Sequence, residues 1–263
     1  MEIGERVAEA IRFSIEGSGL VAGAGGGYDQ WFLTVLEKLM GHSVRSHLNV
    51  DIGEYDETIR RWIPGYEEML RQAATAAAAC SPQLAVDLGA GTGALSEALL
   101  EHEEVQRVRL LDIDPEMLQV AKSRLDAWGP RAEFTLQSFD DELPKADVFV
   151  ASLSLHHIPT IEEKRELFAR VHEALPAGGR LINADCCMPV SEPERRELFQ
   201  HWVDHQVTND VPEEQAWRHF DEWSEEDTYL PLDEELAALE SVGFDAERIW
   251  NDGPIGVVVA TRK

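Results

Sequence analysis

Asp87 stands two residues before the first glycine of Gly89-Ala90-Gly91-Thr92-Gly93, and Asp112 follows Gly91 by 21 residues. Alternating glycines let a turn pass its backbone flush against a ligand, because glycine adopts positive φ and has no Cβ. An acid at the distance of Asp112 is placed for the ribose of a nucleotide, and Gly89, Gly91 and Ala94 satisfy the loose dinucleotide pattern. Asp87 argues for a different ligand. Beside two phosphates a carboxylate repels, whereas beside an ammonium or sulfonium it attracts. A cationic amino-acid nucleoside therefore suits this set better than a nicotinamide dinucleotide, which stays as the alternative from another enzyme class.

Two adjacent histidines, His156 and His157, come next. A histidine titrating near neutral pH can take a proton from a hydroxyl or amine, and His157 is expected as that base, with a structural or pocket-lining role as the competing reading. His201 and His205 lie four apart with Asp204 between them. That is a metal-ligand spacing on a helix, but a solvated face or aromatic packing is the commoner use, and no metal is expected. Gly23-Ala24-Gly25-Gly26-Gly27 is expected as a hinge, since no strand precedes it and no Lys-Ser/Thr follows to make a phosphate loop. Cys186-Cys187 reads as a pair of small buried hydrophobes.

These residues need a frame that brings them together. Apolar runs at 84–88, 108–112, 132–137, 147–152 and 180–184 read as strands, and the segments 93–102, 115–128 and 162–175 between them read as helices. Asp114 before Pro115 is a helix start, and Pro176-Ala177-Gly178-Gly179 is a stop. Alternation of this kind makes a parallel, doubly wound α/β sheet. The alternation pauses over 187–232, where a pair of helices is expected. Phe199, Trp202, Trp217, Phe220 and Trp223 there either roof an apolar substrate or fasten the insertion to the sheet. A helix at 233–242 and strands at 247–250 and 256–261 close the chain, the last two as an antiparallel hairpin.

Upstream, 3–16 and 28–40 carry apolar residues at helical spacing, and with the hinge between them they read as a lid. The region 51–79 is a third helical stretch, broken at Pro64 so that Tyr66 is released from the helix's own packing face. The expected organisation is a helical lid over 1–80, a cofactor-binding domain over 81–186 and 233–263, and a helical cap over 187–232.

Composition narrows the partners. The chain has 263 residues, with 50 acidic against 23 basic and a formal charge of −27. Such a surface repels phosphate backbones and anionic lipid, so neither nucleic acid nor membrane is expected as a partner. Salt adaptation and an ordinary acidic protein account for the charge equally well. Three cysteines are too few for a disulfide framework, and the start of the chain lacks a basic segment followed by an apolar one, so a soluble cytoplasmic protein is expected.

Several ordered segments carry a family likeness: Val86-Asp-Leu-Gly-Ala-Gly-Thr-Gly93, Leu111-Asp-Ile-Asp-Pro-Glu-Met-Leu118, Ala151-Ser-Leu-Ser-Leu-His-His-Ile158 and Leu175-Pro-Ala-Gly-Gly-Arg-Leu181. Together they resemble the motifs of class I S-adenosylmethionine-dependent methyltransferases, over roughly residues 55 to 263. The resemblance implies a seven-stranded, mostly parallel Rossmann-like sheet, S-adenosylmethionine as cofactor and a small-molecule acceptor, with a homodimer allowed. It places Gly89, Ala90 and Gly91 against the methionine portion, Asp112 on both ribose hydroxyls and Ile113 along the adenine. Ser138 stands where the family often has an acid for the adenine amino group. Phe139 follows it, and Asp140 is in reserve. Ser152 belongs beside the methionine end. The segment from Tyr55 to Tyr66 also resembles the pre-sheet helix of the subgroup containing carboxy-S-adenosylmethionine synthase. That likeness puts Tyr66 on the cofactor and turns Arg61 toward its carboxylate. The arginine such a synthase carries in the insertion falls at Val207 in an ungapped reading, so the synthase is the alternative, sustained by Arg218.

Overall fold

The computed structural model describes residues 54–263. The helices expected at 3–16 and 28–40, and the glycine hinge between them, lie outside the described residues.

Seven strands form one sheet: β1 Ala85–Leu88, β2 Val108–Asp112, β3 Ala132–Leu136, β4 Val148–Ser152, β5 Arg180–Cys186, β6 Phe244–Asp252 and β7 Ile255–Arg262. The order across the sheet is β3-β2-β1-β4-β5-β7-β6. β1 to β5 pair in parallel, and β7 runs antiparallel to both of its neighbours, as the hairpin reading requires. The helices are α1 Tyr55–Trp62, α2 Tyr66–Ala78, α3 Ala94–Leu100, α4 Pro115–Arg124, α5 Ile161–Ala174, α6 Glu192–Thr208, α7 Glu213–Trp223 and α8 Leu232–Ser241.

Alternation along the strands builds the two halves of the core. Val148 and Val150 of β4 join the cluster under α2, α3 and α4, while Phe149 and Ala151 join the cluster under α5 and α8. The same alternation turns Asp87 of β1 toward α3, where Ser96 waits for it. The Lys164 ammonium of α5 and the Glu235 carboxylate of α8 form a fully buried ion pair across the second cluster.

Caps set the local boundaries. The Asp114 carboxylate accepts from the backbone N–H of Glu116 and Met117, and Pro115 fills the first turn, where no N–H partner is needed. α4 stops at Arg124 instead of running to Trp128, because a separate 3₁₀ segment, Asp126–Arg131, containing Gly129 and Pro130, takes over. β6 starts at Phe244, three residues earlier than the expected 247. It is an edge strand whose Asp245, Glu247 and Arg248 face solvent, so backbone pairing with β7 defines it and its apolar content does not. The break at Pro64 separates α1 from α2 as expected, and α6 and α7 are the expected helix pair of the insertion.

The chain reverses direction across the sheet between β1 and β4, the position where open α/β sheets hold ligands beyond their strand ends. β1 and β4 also carry the glycine turn and the two histidines.

Candidate active site

One cavity of about 530 Å³ opens at this point, a size typical of a small-molecule site. Tyr66, Asp87, Gly89, Ala90, Gly91, Asp112, Ile113, Ser138, Phe139, Ser152 and His157 all line it. These residues, from Tyr66 to His157, come from separate segments of the chain to one cavity.

The glycine turn does what its composition requires. Gly89 has φ +66°, and a Cβ there would come within 2.7 Å of the Ser154 Cβ. Gly91 has φ +55° with nothing within 4 Å of where its Cβ would stand, so its backbone faces open space in the cavity. Its N–H donates to the Asp112 carboxylate at 2.6 Å, and the Asp114 N–H donates to the other oxygen at 2.8 Å. Two backbone donors thus fix the orientation of Asp112 and leave it lone pairs for further hydroxyls.

Asp87 is almost fully buried, and Ser96 Oγ donates to its Oδ2 at 2.6 Å. Its other oxygen, Oδ1, has no hydrogen-bond partner. A buried carboxylate oxygen without a donor is costly unless a ligand supplies one. Burial, opposed by the Ser96 hydroxyl and reinforced by Asp112, pushes the Asp87 carboxyl up to about 7. Burial likewise pushes Asp112 up to about 6, against the N–H bonds from Asp114 and Gly91. Two acids held near neutrality in one cavity make a receptor for a cation that also carries hydroxyls. The ammonium, sulfonium and ribose of S-adenosylmethionine are such a set, so the residues present fit this cofactor.

The cavity also carries an aromatic wall. Trp62, Trp202, Trp223 and Tyr229 line it and pack on one another, and His156 meets Tyr229 edge-on. Trp202 Nε1 donates to the Trp62 carbonyl at 2.6 Å, which pins the insertion to the end of α1. Trp202 and Trp223 therefore both fasten the insertion and face the cavity. Phe199 and Phe220 pack against the core, and Trp217 stays partly exposed.

His156 and His157 lie on a 3₁₀ turn, Leu155–His157, directly after β4. His157 Nδ1 is 3.2 Å from Asp227 Oδ1. His156 is the more deeply held. Its Nδ1 is 2.6 Å from Asp185 Oδ1, its backbone N–H donates to Asp185 Oδ2, and its Nε2 is 3.6 Å from Asp227 Oδ1. Burial disfavours the imidazolium, but Asp185 and Asp227 outweigh burial and raise its pKa above the usual histidine value. Asp185 is correspondingly held below the usual carboxylate range by His156 and Lys164, despite its own burial.

Asp185 and Asp227 escaped the sequence reading. Asp185 had a usable signal, an acid inside the apolar run of β5. Asp227 had none, since it ends an acidic run indistinguishable from solvated surface. His201 and His205 do not converge on a shared ligand: His201 Nε2 is 2.8 Å from Asp252, and His205 lies beside Asn209. Arg61 donates to the Asn209 carbonyl, and Arg218 pairs with Glu214 on the surface. Neither lines the cavity, so the insertion supplies no arginine for the extra carboxylate of a carboxy-S-adenosylmethionine synthase product.

A family profile described as a methyltransferase domain matches residues 86–181. An uncharacterized methyltransferase of Exiguobacterium sibiricum is 33% identical over 172 residues, which is 65% of this chain and 70% of that protein. The chain belongs to the S-adenosylmethionine-dependent methyltransferases. A carboxy-S-adenosyl-L-methionine synthase of Campylobacter lari is 28% identical over 134 residues, 50% of this chain and 57% of that one. The phenazine O-methyltransferase PhzM of Lysobacter antibioticus is 30% identical over 175 residues, 65% of this chain and 50% of that one. The chain thus spans about half the length of these last two relatives. In fold it matches an O-methyltransferase family protein from Burkholderia thailandensis at a TM-score of 0.61 and 14% identity, over 100% of this chain and 76% of that one. The methyltransferase reading is favoured over both the synthase and the nicotinamide enzyme.

Proposed function

We propose that this methyltransferase acts on a hydroxyl of a small, largely apolar acceptor in the cytoplasm, where the three free cysteines stay reduced. When bound, S-adenosylmethionine supplies an electrophilic methyl group on a sulfonium. The single observation that carries the reading is one cavity lined by two unlike groups: Asp87, Asp112 and the glycine turn, and the cluster of His156, His157 and Asp227 among aromatic side chains.

Each residue then has a definite task. Asp87 Oδ1 receives the cofactor's ammonium, Asp112 the ribose hydroxyls, and Ile113 and Phe139 flank the adenine beside Ser138. Tyr66 and Ser152 hold the methionine end. Trp62, Trp202, Trp223 and Tyr229 exclude water and grip the apolar body of the acceptor, with α6 and α7 as its cap. Methyl transfer depends chiefly on in-line proximity, so orientation by these walls supplies most of the rate. The acceptor hydroxyl meets the histidine pair, with His157 as the proton acceptor in the absence of a bound cation, while His156 is held in place through its Nδ1–H to Asp185. The name of the Lysobacter relative, an O-methyltransferase of phenazines, supports an aromatic hydroxyl acceptor.

The test has two stages. Calorimetric titration with S-adenosylmethionine and S-adenosylhomocysteine establishes cofactor binding. Incubation with methyl-labelled cofactor and a panel of phenols, alcohols, amines and thiols, read by mass spectrometry, then finds the acceptor class. Label transfer to aromatic hydroxyls is the expected result, and transfer confined to amines or thiols refutes the proposal.

A further inference from the structure

We propose that His156 Nε2, His157 Nδ1 and Asp227 Oδ1 form a binding site for one first-row divalent cation, with a remaining position open to the cavity. These three atoms lie within 4.8 Å of one another. The two measured separations from Asp227 Oδ1 are 3.2 Å to His157 Nδ1 and 3.6 Å to His156 Nε2. Ligands about 2.1 Å from a tetrahedral zinc ion stand about 3.4 Å apart, so the observed spacings bracket the edge of that tetrahedron. Two imidazoles with one carboxylate and an open position are a donor set of catalytic metal centres.

The surroundings are those of a metal site too. A ligating histidine usually donates its second ring N–H to a carboxylate, which fixes the tautomer and orients the lone pair. His156 does this with Asp185 at 2.6 Å. Asp185 is itself fixed by the backbone N–H of His156 and Cys186. The ligating carboxylate is braced in the same way, with Tyr229 Oη donating to Asp227 Oδ2 at 2.8 Å and leaving Oδ1 for the histidines. With Nδ1–H committed to Asp185, Nε2 is the His156 ring nitrogen that faces Asp227 Oδ1.

A cation here deepens the methyltransferase reading and rests on it only for its consequence. An acceptor hydroxyl taking the open position would bind the metal through oxygen and release its proton to water. The oxygen keeps the electron pair that forms the bond to the methyl carbon as the carbon–sulfur bond breaks.

The experiment uses the full chain stripped with EDTA. Calorimetric titration with zinc sulfate is expected to show one equivalent bound, and cobalt(II) chloride to give the visible absorption of a low-coordinate nitrogen and oxygen site. His157→Ala and Asp227→Asn should each abolish saturable uptake, while S-adenosylhomocysteine still binds and reports an intact fold. Asp185→Asn, which removes only the support behind His156, should weaken zinc by about 10 to 100-fold. Absence of zinc uptake by a protein that binds S-adenosylhomocysteine overturns the proposal, as does uptake unchanged in both ligand variants. Failure of the unaltered chain to bind S-adenosylhomocysteine counts instead against the cofactor reading, and the cobalt spectrum still decides the metal site.

Discussion

Ser96 Oγ donates to one oxygen of Asp87 and leaves the other deeply buried without a hydrogen-bond partner. The arrangement ties the first turn of a helix to the strand before it.

Replacing that carboxylate by an amide should separate binding from folding. Asp87→Asn removes a charge-assisted hydrogen bond worth about 1.5–3 kcal/mol, a loss of roughly 10 to 150-fold in affinity for S-adenosylmethionine. Its thermal midpoint at alkaline pH should equal or exceed that of the unaltered protein, because no charge remains to be desolvated. Calorimetry and a thermal melt on the same preparation check both halves, and unchanged affinity refutes the assignment of Asp87.

The pH dependence follows from the same group. The folded pKa of Asp87, about 7, lies above its ordinary value of 3.8. Between these values the folded protein holds a proton that the unfolded chain has released, so raising the pH across this window lowers the stability of the ligand-free protein. Binding of the cofactor's ammonium requires the ionised form, so affinity should rise with pH and level off above about 7. Opposite slopes for stability and affinity are the expected signature, and Asp87→Asn should reduce both, leaving the share that the raised Asp112 contributes.

The buried Lys164 and Glu235 pair supplies a prediction on stability. Lys164→Met leaves the Glu235 carboxylate buried beside Asp185 without its cation and should cost about 3–5 kcal/mol, measured by urea unfolding. Adding Glu235→Leu should restore most of that loss, since a well-packed apolar pair replaces a buried ion pair at little net cost. A double variant no better than the single one would show that the pair contributes packing rather than charge compensation.

Much of the cofactor-binding set was legible in the sequence because its chemistry is local. Asp87, Gly89 and Gly91 share one strand and turn, and Asp112 to Pro115 share another, so spacing together with the family likeness named them, and the structure brings them to one cavity. The insertion's helices were legible from composition, but the division of labour among its tryptophans was not. Trp202 both bonds the Trp62 carbonyl and lines the cavity, a relation between residues 140 positions apart. Asp227 reaches the histidines by a tertiary route, from a loop with no motif. The edge strand β6 was shortened for a related reason, since its definition rests on pairing with β7 and its side chains advertise only solvent.

Asp227 lies on the loop between α7 and α8, whereas the residues that fit the cofactor, apart from Tyr66, come from the strand ends and loops between 87 and 152. The insertion thus contributes Trp202, Trp223, Asp227 and Tyr229 to a wall whose histidines follow β4 directly, so a change confined to the insertion can reshape part of that wall without touching the glycine turn.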